Sequence, residues 1–370
     1  MIDLDLFWKN DALAHRDRCF YEHAPQVALG IRMSDECVFA ELGEEGQPWG
    51  YTPPGRRIEL NKRYNEKAVK IVGIPLLRET LPEKDERIPS LRPIGELFGG
   101  KYVFDGQTTW LKGSISTPEQ LEKVLDDLDK LDFDSFVIPP TYESEKKRVF
   151  EKYGHKPPVW RGVRGPVTLA SSVYGFENLV FLYYDAPELF ERFSKSILDV
   201  ILKYVALADR EAGYTHENAP KHFAFYDDDC ALMTPEMYEQ FGYPVLKGVF
   251  DYCAQGEGAS RYQHSDSAME HLLPILSRLD LTGCNFGPTV TVTDIRRYLP
   301  NATIDGQIAP FTFMNNDRKA IRAEVKRDCE QIKATGTKGL NLTTAGSINN
   351  GSLLTSMLTV MEAIEEFGQY

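Results

Sequence analysis

Residues 260–273, SRYQHSDSAMEHLL, decide the fold. The first half has the apolar-polar alternation of a β-strand and ends at His264 and Asp266, and the second half has the spacing of a helix. Side chains two residues apart on a strand point to the same side, so His264 and Asp266 can offer a nitrogen and an oxygen to one metal ion or substrate group. A strand that leads directly into a helix is the repeating unit of a parallel α/β fold.

The same alternation of strand and helix recurs along the chain. Strand-like runs, each followed by a helical pattern, lie at 109–112, 136–138, 159–163, 223–226, 262–264, 279–283, 302–306 and 339–343. Threonine-proline pairs at Thr117 and Thr234 predict two of the helix starts. Eight alternations predict a (β/α)8 TIM-type barrel of the α/β class, although a doubly wound sheet alternates in the same way.

Turn-rich segments dominate the first hundred residues. They predict an irregular N-terminal extension at 1–100, and the alternating pattern predicts the barrel at 101–370. We expect the two parts to form a single domain over 1–370, because barrels of this length are common as one domain.

Composition excludes several classes of function. The formal net charge of −13 disfavours binding to nucleic acid or to an anionic membrane. No apolar stretch approaches the roughly 18 residues of a membrane span, and the acidic N-terminus predicts no signal peptide. Six scattered cysteines without a C-x-x-C pair are not a disulfide framework. A cytoplasmic location is therefore expected.

Potential metal ligands follow two successive predicted strands. We predict His264, Asp266 and Cys284 as the ligands, because nitrogen, oxygen and thiolate sulfur are all donors that zinc accepts. Two alternatives remain open for His264 and Asp266: a role in substrate binding or acid-base chemistry, or a hydrogen-bonded structural pair. Cys284 could equally be a buried core thiol, as many free cysteines are.

Three adjacent carboxylates follow the predicted strand 223–226. We predict Asp228 and Asp229 as catalytic acids or bases together with His264, because adjacent carboxylates are costly to gather without a cation or a hydrogen-bond network. The alternative is a solvated turn in which one of the acids caps the next helix.

Two arginines and three aromatic residues are the predicted substrate contacts. Arg161 and Arg164 flank Gly162 and suit a carboxylate or phosphate, with ion pairs to nearby acids as the alternative. The aromatic candidates are Tyr174, Tyr226 and Trp160, for which ordinary packing is the alternative.

The chain resembles the uroporphyrinogen decarboxylase superfamily over roughly 100–370. The resemblance is carried in order by residues 165–170, 209–213, 227–236, 264–266, 305–310 and the closing helix to Gly368. It implies a barrel with one of two activities. These are decarboxylation of a porphyrinogen, and zinc-assisted methyl transfer to or from a corrinoid protein or a thiol.

The motifs favour the methyltransferase branch. The arginine-rich N-terminal motif of the decarboxylase branch is missing. The zinc motif of the other branch has H-x-C, a ligand about twenty residues later and a cysteine before the last helix. Here His264 is kept, Asp266 replaces the cysteine, Cys284 lies near the next position, and residues 343–346 contain no thiol. The resemblance therefore implies a mixed nitrogen, oxygen and sulfur shell.

The predicted function is methyl transfer between a small methylated compound, such as a methoxylated aromatic that is O-demethylated, and a corrinoid protein. The implied cofactors are zinc and the cobalamin (corrinoid) of the partner, and a homodimer is an allowed assembly. One alternative is a decarboxylase of a small aromatic or pyrrolic acid held by Arg161 or Arg164. Another is a non-catalytic barrel that binds a corrinoid partner.

Overall fold

The chain is described by a computed structural model that covers residues 2–46, 48, 50–82, 84–104 and 109–370. It divides into two compact units. Unit 1 is Met1–Leu81 with Gln263–Tyr370, and unit 2 is Pro82–Tyr262. The division into an extension at 1–100 and a barrel at 101–370 stays a prediction.

The first part of unit 1 is mainly helical. Its elements are α1 (Leu4–Ala14), α2 (Arg16–Cys19), β1 (Ala28–Leu29), α3 (Glu36–Leu42) and α4 (Pro54–Val72). The two-residue strand β1 lies in the segment for which the sequence predicted no regular strand.

Unit 2 begins with two antiparallel strands and continues as alternating helices and parallel strands. Its elements are β2 (Lys101–Phe104), β3 (Thr109–Lys112), α5 (Pro118–Asp129), α6 (Phe133–Val137), α7 (Tyr142–Tyr153), β4 (Gly162–Arg164), α8 (Pro166–Tyr174), α9 (Phe176–Asp185), α10 (Pro187–Glu211), β5 (His222–Tyr226) and α11 (Pro235–Cys253). The next strand, β6 (Ser260–Ser265), contains the boundary between the units.

The second part of unit 1 repeats the order of strand and helix. Its elements are α12 (Leu273–Leu276), β7 (Gly283–Phe286), α13 (Val292–Tyr298), β8 (Thr303–Ile308), α14 (Pro310–Met314), α15 (Arg318–Ala334), β9 (Leu340–Thr344) and α16 (Leu354–Phe367).

Seven of these strands form one sheet, in the order β1-β9-β8-β7-β6-β5-β4. The pairs β1–β9, β4–β5, β7–β8 and β8–β9 are parallel, with Ile304 opposite Leu340 as one point of the register. The predicted α/β class, with a parallel sheet flanked by helices, is confirmed.

Two predicted barrel strands are wrong in detail. Residues 109–112 are extended but pair antiparallel with β2. The apolar run at 136–138 is mostly the end of helix α6, which Asp132 caps by accepting a hydrogen bond from the Ser135 N–H. Short apolar runs have no periodicity that distinguishes a strand from a buried helical turn, and here the cap decides.

Two predicted helix starts are confirmed. Thr117 accepts a hydrogen bond from the Gln120 N–H at the start of α5, and Thr234 accepts one from the Met237 N–H at the start of α11. In both helices proline occupies the first turn, where a missing N–H costs nothing. None of the helices in the described part of the chain combines the length and apolar character needed to cross a bilayer.

Candidate functional site

His264 and Asp266 lie at the carboxyl end of β6, as the alternation predicted. Gln263 and Ser265 are buried, whereas His264 is half-buried and Asp266 is exposed. A ring nitrogen of His264 and a carboxylate oxygen of Asp266 lie within 4.8 Å of each other. That separation allows both atoms to contact one ion at the usual zinc–ligand distances of about 2 Å.

The loops that follow β7, β8 and β9 approach the segment at Asp266. A Cβ atom on Gly346, which follows β9, would lie 2.9 Å from the Asp266 Cβ. The same atom would lie 3.5 Å from Pro310, which follows β8. After β7, the Gly287 N–H donates to the Ser267 carbonyl at 3.0 Å. Strand ends of unit 1 therefore converge around Asp266, where a parallel α/β fold usually places its chemistry.

Cys284 lies in a different environment from this pair, and its role as a metal ligand stays a prediction. Its side chain is fully buried in β7, and burial raises the pKa of the thiol far above its usual value. Zinc binds the thiolate, so binding at Cys284 would have to displace a proton that burial favours on the sulfur. Among the described residues, no sulfur belongs to the group of possible ligand atoms around His264 and Asp266.

The three carboxylates after β5 have different environments. Asp227 is fully buried and accepts a hydrogen bond from the Thr168 N–H at 2.7 Å, at the start of α8. Asp228 and Asp229 are half-buried and begin a 3-10 helix, Asp228–Leu232. The Asp229 N–H donates to the Thr168 hydroxyl at 3.0 Å. The sequence missed the capping role of Asp227, because the helix it caps lies some sixty residues earlier in the chain.

The two predicted arginine contacts differ sharply. Arg161 precedes β4 and is buried in an ion pair, with 2.6 Å between its Nη2 and the Asp209 Oδ2. Burial raises the pKa of Asp209, and the arginine opposes that shift. Arg161 therefore matches the ion-pair alternative. Arg164, the last residue of β4, is half-buried and donates to the Ser172 hydroxyl at 3.0 Å.

The three aromatic residues predicted as substrate contacts also have different environments. Tyr174 is only 3% exposed and packs edge-on against Phe193, so it is part of the aromatic core of unit 2. Tyr226 ends β5 and is 49% exposed. Trp160 is 54% exposed and lines a cavity together with Arg164. Tyr102, Tyr142 and Tyr204 also line this cavity. The sequence analysis missed them, because they lie on separate elements and follow no motif.

The donor atoms of His264 and Asp266 partly fit a zinc ion. An imidazole nitrogen and a carboxylate oxygen are both common zinc ligands, but a catalytic zinc site normally takes three protein ligands and keeps one position open. Without a thiolate, the pair also suits other divalent metals that prefer nitrogen and oxygen donors.

Comparisons with known proteins agree with this fold. A family model described as uroporphyrinogen decarboxylase (URO-D) matches residues 95–367. A solved methyltransferase from Methanosarcina mazei is 16% identical, with a TM-score of 0.56 over 92% of this chain and 94% of that one. At that identity the likeness concerns the fold alone.

A B12-independent methionine synthase from Shewanella sp. W3-18-1, solved in complex with selenomethionine, is 12% identical, with a TM-score of 0.36. The match covers 85% of this chain and 89% of that one. No curated protein matches the chain in sequence.

Proposed function

The chain belongs to the uroporphyrinogen decarboxylase family, and from this premise we propose that it is a methyltransferase. It would move a methyl group between a small methylated compound, such as a methoxylated aromatic, and the corrinoid of a partner protein. The observation that carries the proposal is the pair of His264 and Asp266 at the end of β6, with ligand atoms within 4.8 Å.

We assign His264 and Asp266 to hold the metal, with zinc as the proposed ion. When bound, zinc supplies Lewis acidity towards an ether or phenol oxygen, and the effect is stronger with few thiolate ligands. Asp266 is exposed, so its carboxylate is accessible to an ion from solvent.

Asp228 and Asp229 are the proposed acid-base residues. They follow β5, and the chemistry of a parallel α/β barrel lies at the carboxyl ends of its strands. When a methyl group leaves an aryl ether, the oxygen that remains takes up a proton, and a carboxylic acid at this position could deliver it. Arg164, Trp160 and Tyr226 are the proposed substrate contacts.

Metal binding can be tested separately from turnover. Zinc should raise the Tm of the wild-type protein, because a ligand that binds only the folded state stabilises it. His264→Ala and Asp266→Asn should each reduce zinc affinity by more than tenfold. His271→Ala removes an exposed histidine of the same unit and is the matched control. Equal zinc stabilisation of all four proteins would contradict the ligand assignment.

Methyl transfer is tested with a panel of methoxylated aromatics that includes methoxybenzoates as donors, and with free cob(I)alamin in place of the partner's corrinoid. The wild type should form methylcobalamin, and His264→Ala should not. No methylcobalamin from zinc-loaded wild type, over a panel of methoxylated donors, would contradict the proposed activity.

One observation favours decarboxylation as a second candidate. Arg164 lies in an apolar cavity, where it could hold the carboxylate of a small aromatic or pyrrolic acid. Release of CO2 from such an acid, abolished in Arg164→Gln and unaffected by chelators, would favour this activity over methyl transfer.

A further inference from the structure

Unit 2 contains a cavity of about 370 Å³ beside β4. This volume lies at the lower end of the roughly 300–1,000 Å³ that small-ligand sites occupy. Apolar and aromatic side chains supply most of its walls, which come from the segment 88–94, from β2 and β4, and from helices α7, α8 and α10.

The aromatic walls are large, and two of them are accessible. Trp160 and Tyr102 are 54% and 37% exposed, so a ligand that enters the cavity from solvent can contact both rings. Tyr142 and Tyr204 are buried deeper in the wall. Burial raises the pKa of both phenols to about 12, so both stay neutral at physiological pH. Flat aromatic walls of this kind favour a planar ring as ligand.

Arg164 is the one cation among the described residues that line this cavity. Its Nη1 donates to the Ser172 hydroxyl, and no carboxylate of the described residues lies within the 4.0 Å of an ion pair. Arg161, three residues earlier, is instead paired with Asp209. A guanidinium has five N–H donors in a planar fork, so Arg164 keeps donors for a ligand.

We propose that this cavity binds a small aromatic carboxylate. The ring lies among Trp160, Tyr102 and the two buried tyrosines, and the carboxylate accepts hydrogen bonds from Arg164. Arg164 supplies one positive charge, so the cavity favours a ligand with a single negative charge. A doubly charged aryl phosphate would place its second charge in an apolar site without a partner. The low volume selects one ring with short substituents.

The inference deepens the proposed function and rests on it for the role of the ligand, because Arg164 and Trp160 are proposed substrate contacts. It restricts the substrate to ring compounds that carry a carboxylate, such as methoxybenzoates, and disfavours neutral methoxybenzenes. Binding itself depends neither on zinc nor on a corrinoid, so it can fail or succeed independently of methyl transfer.

Calorimetry on the full-length, chelator-treated protein tests the proposal with benzoate, 4-methoxybenzoate, anisole and phenyl phosphate. The two carboxylates should bind at least tenfold more tightly than anisole or phenyl phosphate. Arg164→Gln should weaken both carboxylates at least tenfold and leave anisole unchanged. Arg210→Gln is the matched control, because Arg210 lies on α10, is exposed and pairs with Asp134 at the surface. It should bind like the wild type.

A second variant keeps the test valid if Arg164→Gln is unstable. Ser90 is an exposed residue of the cavity wall, and Ser90→Trp should fill the entrance and weaken every ligand at least tenfold. Thermal melts confirm that each variant is folded. Three results would overturn the proposal: equal affinity of wild type and Arg164→Gln for benzoate, tighter binding of phenyl phosphate, or unchanged binding in a folded Ser90→Trp protein.

Discussion

The missing side chain of Gly165 allows Asp227 to reach the first turn of α8. A Cβ atom on Gly165 would lie 2.1 Å from the Asp227 Cβ and 2.3 Å from its Cγ. The φ angle of Gly165 is −64°, which any residue can adopt, so the constraint is packing and not backbone strain. The position is therefore restricted to glycine by one neighbouring carboxylate.

Gly165→Ala should lower the free energy of unfolding by about 3 kcal/mol, the upper range for overpacking a core. The reason is that the clash involves the Cβ of Asp227, which cannot rotate away. Gly55→Ala is the matched control, because Gly55 lies in the first turn of α4, has no atom within 4 Å of an added Cβ and needs no unusual φ.

Urea unfolding of both variants measures the difference. Gly55→Ala should be neutral or stabilising within about 1 kcal/mol, the helix-propensity gain of alanine over glycine. A Gly165→Ala protein as stable as the Gly55→Ala protein would show that Asp227 does not approach this backbone so closely.

Helix α8 depends on a residue from another element for its amino-terminal cap. Asp227 accepts from the Thr168 N–H, and burial raises the pKa of its carboxyl from 3.8 to about 7 although that hydrogen bond opposes the shift. Between these two pH values the folded protein holds a proton that the unfolded chain releases. The contribution of Asp227 to stability is therefore present below about pH 4 and lost as the pH rises through about 7.

Asp227→Asn should remove this pH dependence, because the amide keeps an oxygen for the Thr168 N–H and carries no charge. From pH 5 to pH 8 the wild type should lose about 2 kcal/mol of stability relative to the variant. Burial also raises the pKa of Asp328, to about 6. Its effect on stability is the same in the wild type and in the variant, so it does not contribute to the difference between them. Denaturation midpoints at the two pH values give the result, and parallel pH profiles would refute it.

Helices whose caps lie close in sequence could be predicted, and a helix capped by a distant residue could not. The starts of α5 and α11 were predictable because Thr117 and Thr234 bond to an N–H three residues later. Helix α6 has the same signal in Asp132, which the apolar run after it concealed. The cap of α8 was not predictable, because it comes from Asp227 on a distant segment.

All six thiols of the molecule are buried. Burial raises the pKa of Cys19 and Cys329 to about 12 and that of Cys253 to about 11. The thiolate is the reactive form, so a thiol reagent such as DTNB should label the native protein only as fast as the protein opens. In denaturant it should label six thiols rapidly.

The measurement is the number of thiols per protein that react with DTNB in the fast phase. Near zero is expected for the native protein, with no change on addition of zinc, because Cys284 is not among the proposed ligands. Cys284→Ala should then reduce the denatured count from six to five and leave zinc affinity unchanged. One rapidly labelled native thiol that zinc protects and Cys284→Ala removes would restore Cys284 as a ligand.

The spacing of His264 and Asp266 was predictable from the sequence, and the assembly of the cavity around Arg164 was not. The pairing of His264 with Asp266 follows from the two-residue period of a strand. The burial of Cys284 could not be predicted in this way. A cysteine that follows an apolar run looks the same in the sequence whether it lies in a functional site or in the core. The cavity around Arg164 joins segments from Ile88 to Ala208, a juxtaposition that no local pattern encodes.

The contact between Gly346 and Asp266 limits which residues the loop after β9 accepts. An added Cβ at Gly346 would lie 2.9 Å from the Asp266 Cβ, and the φ of +125° already disfavours any other residue. The nearest atom is a Cβ, which every residue except glycine carries, so exchanging Asp266 for cysteine would not make room for a side chain at 346. A cysteine can therefore enter position 346 only together with a change in the backbone of this loop.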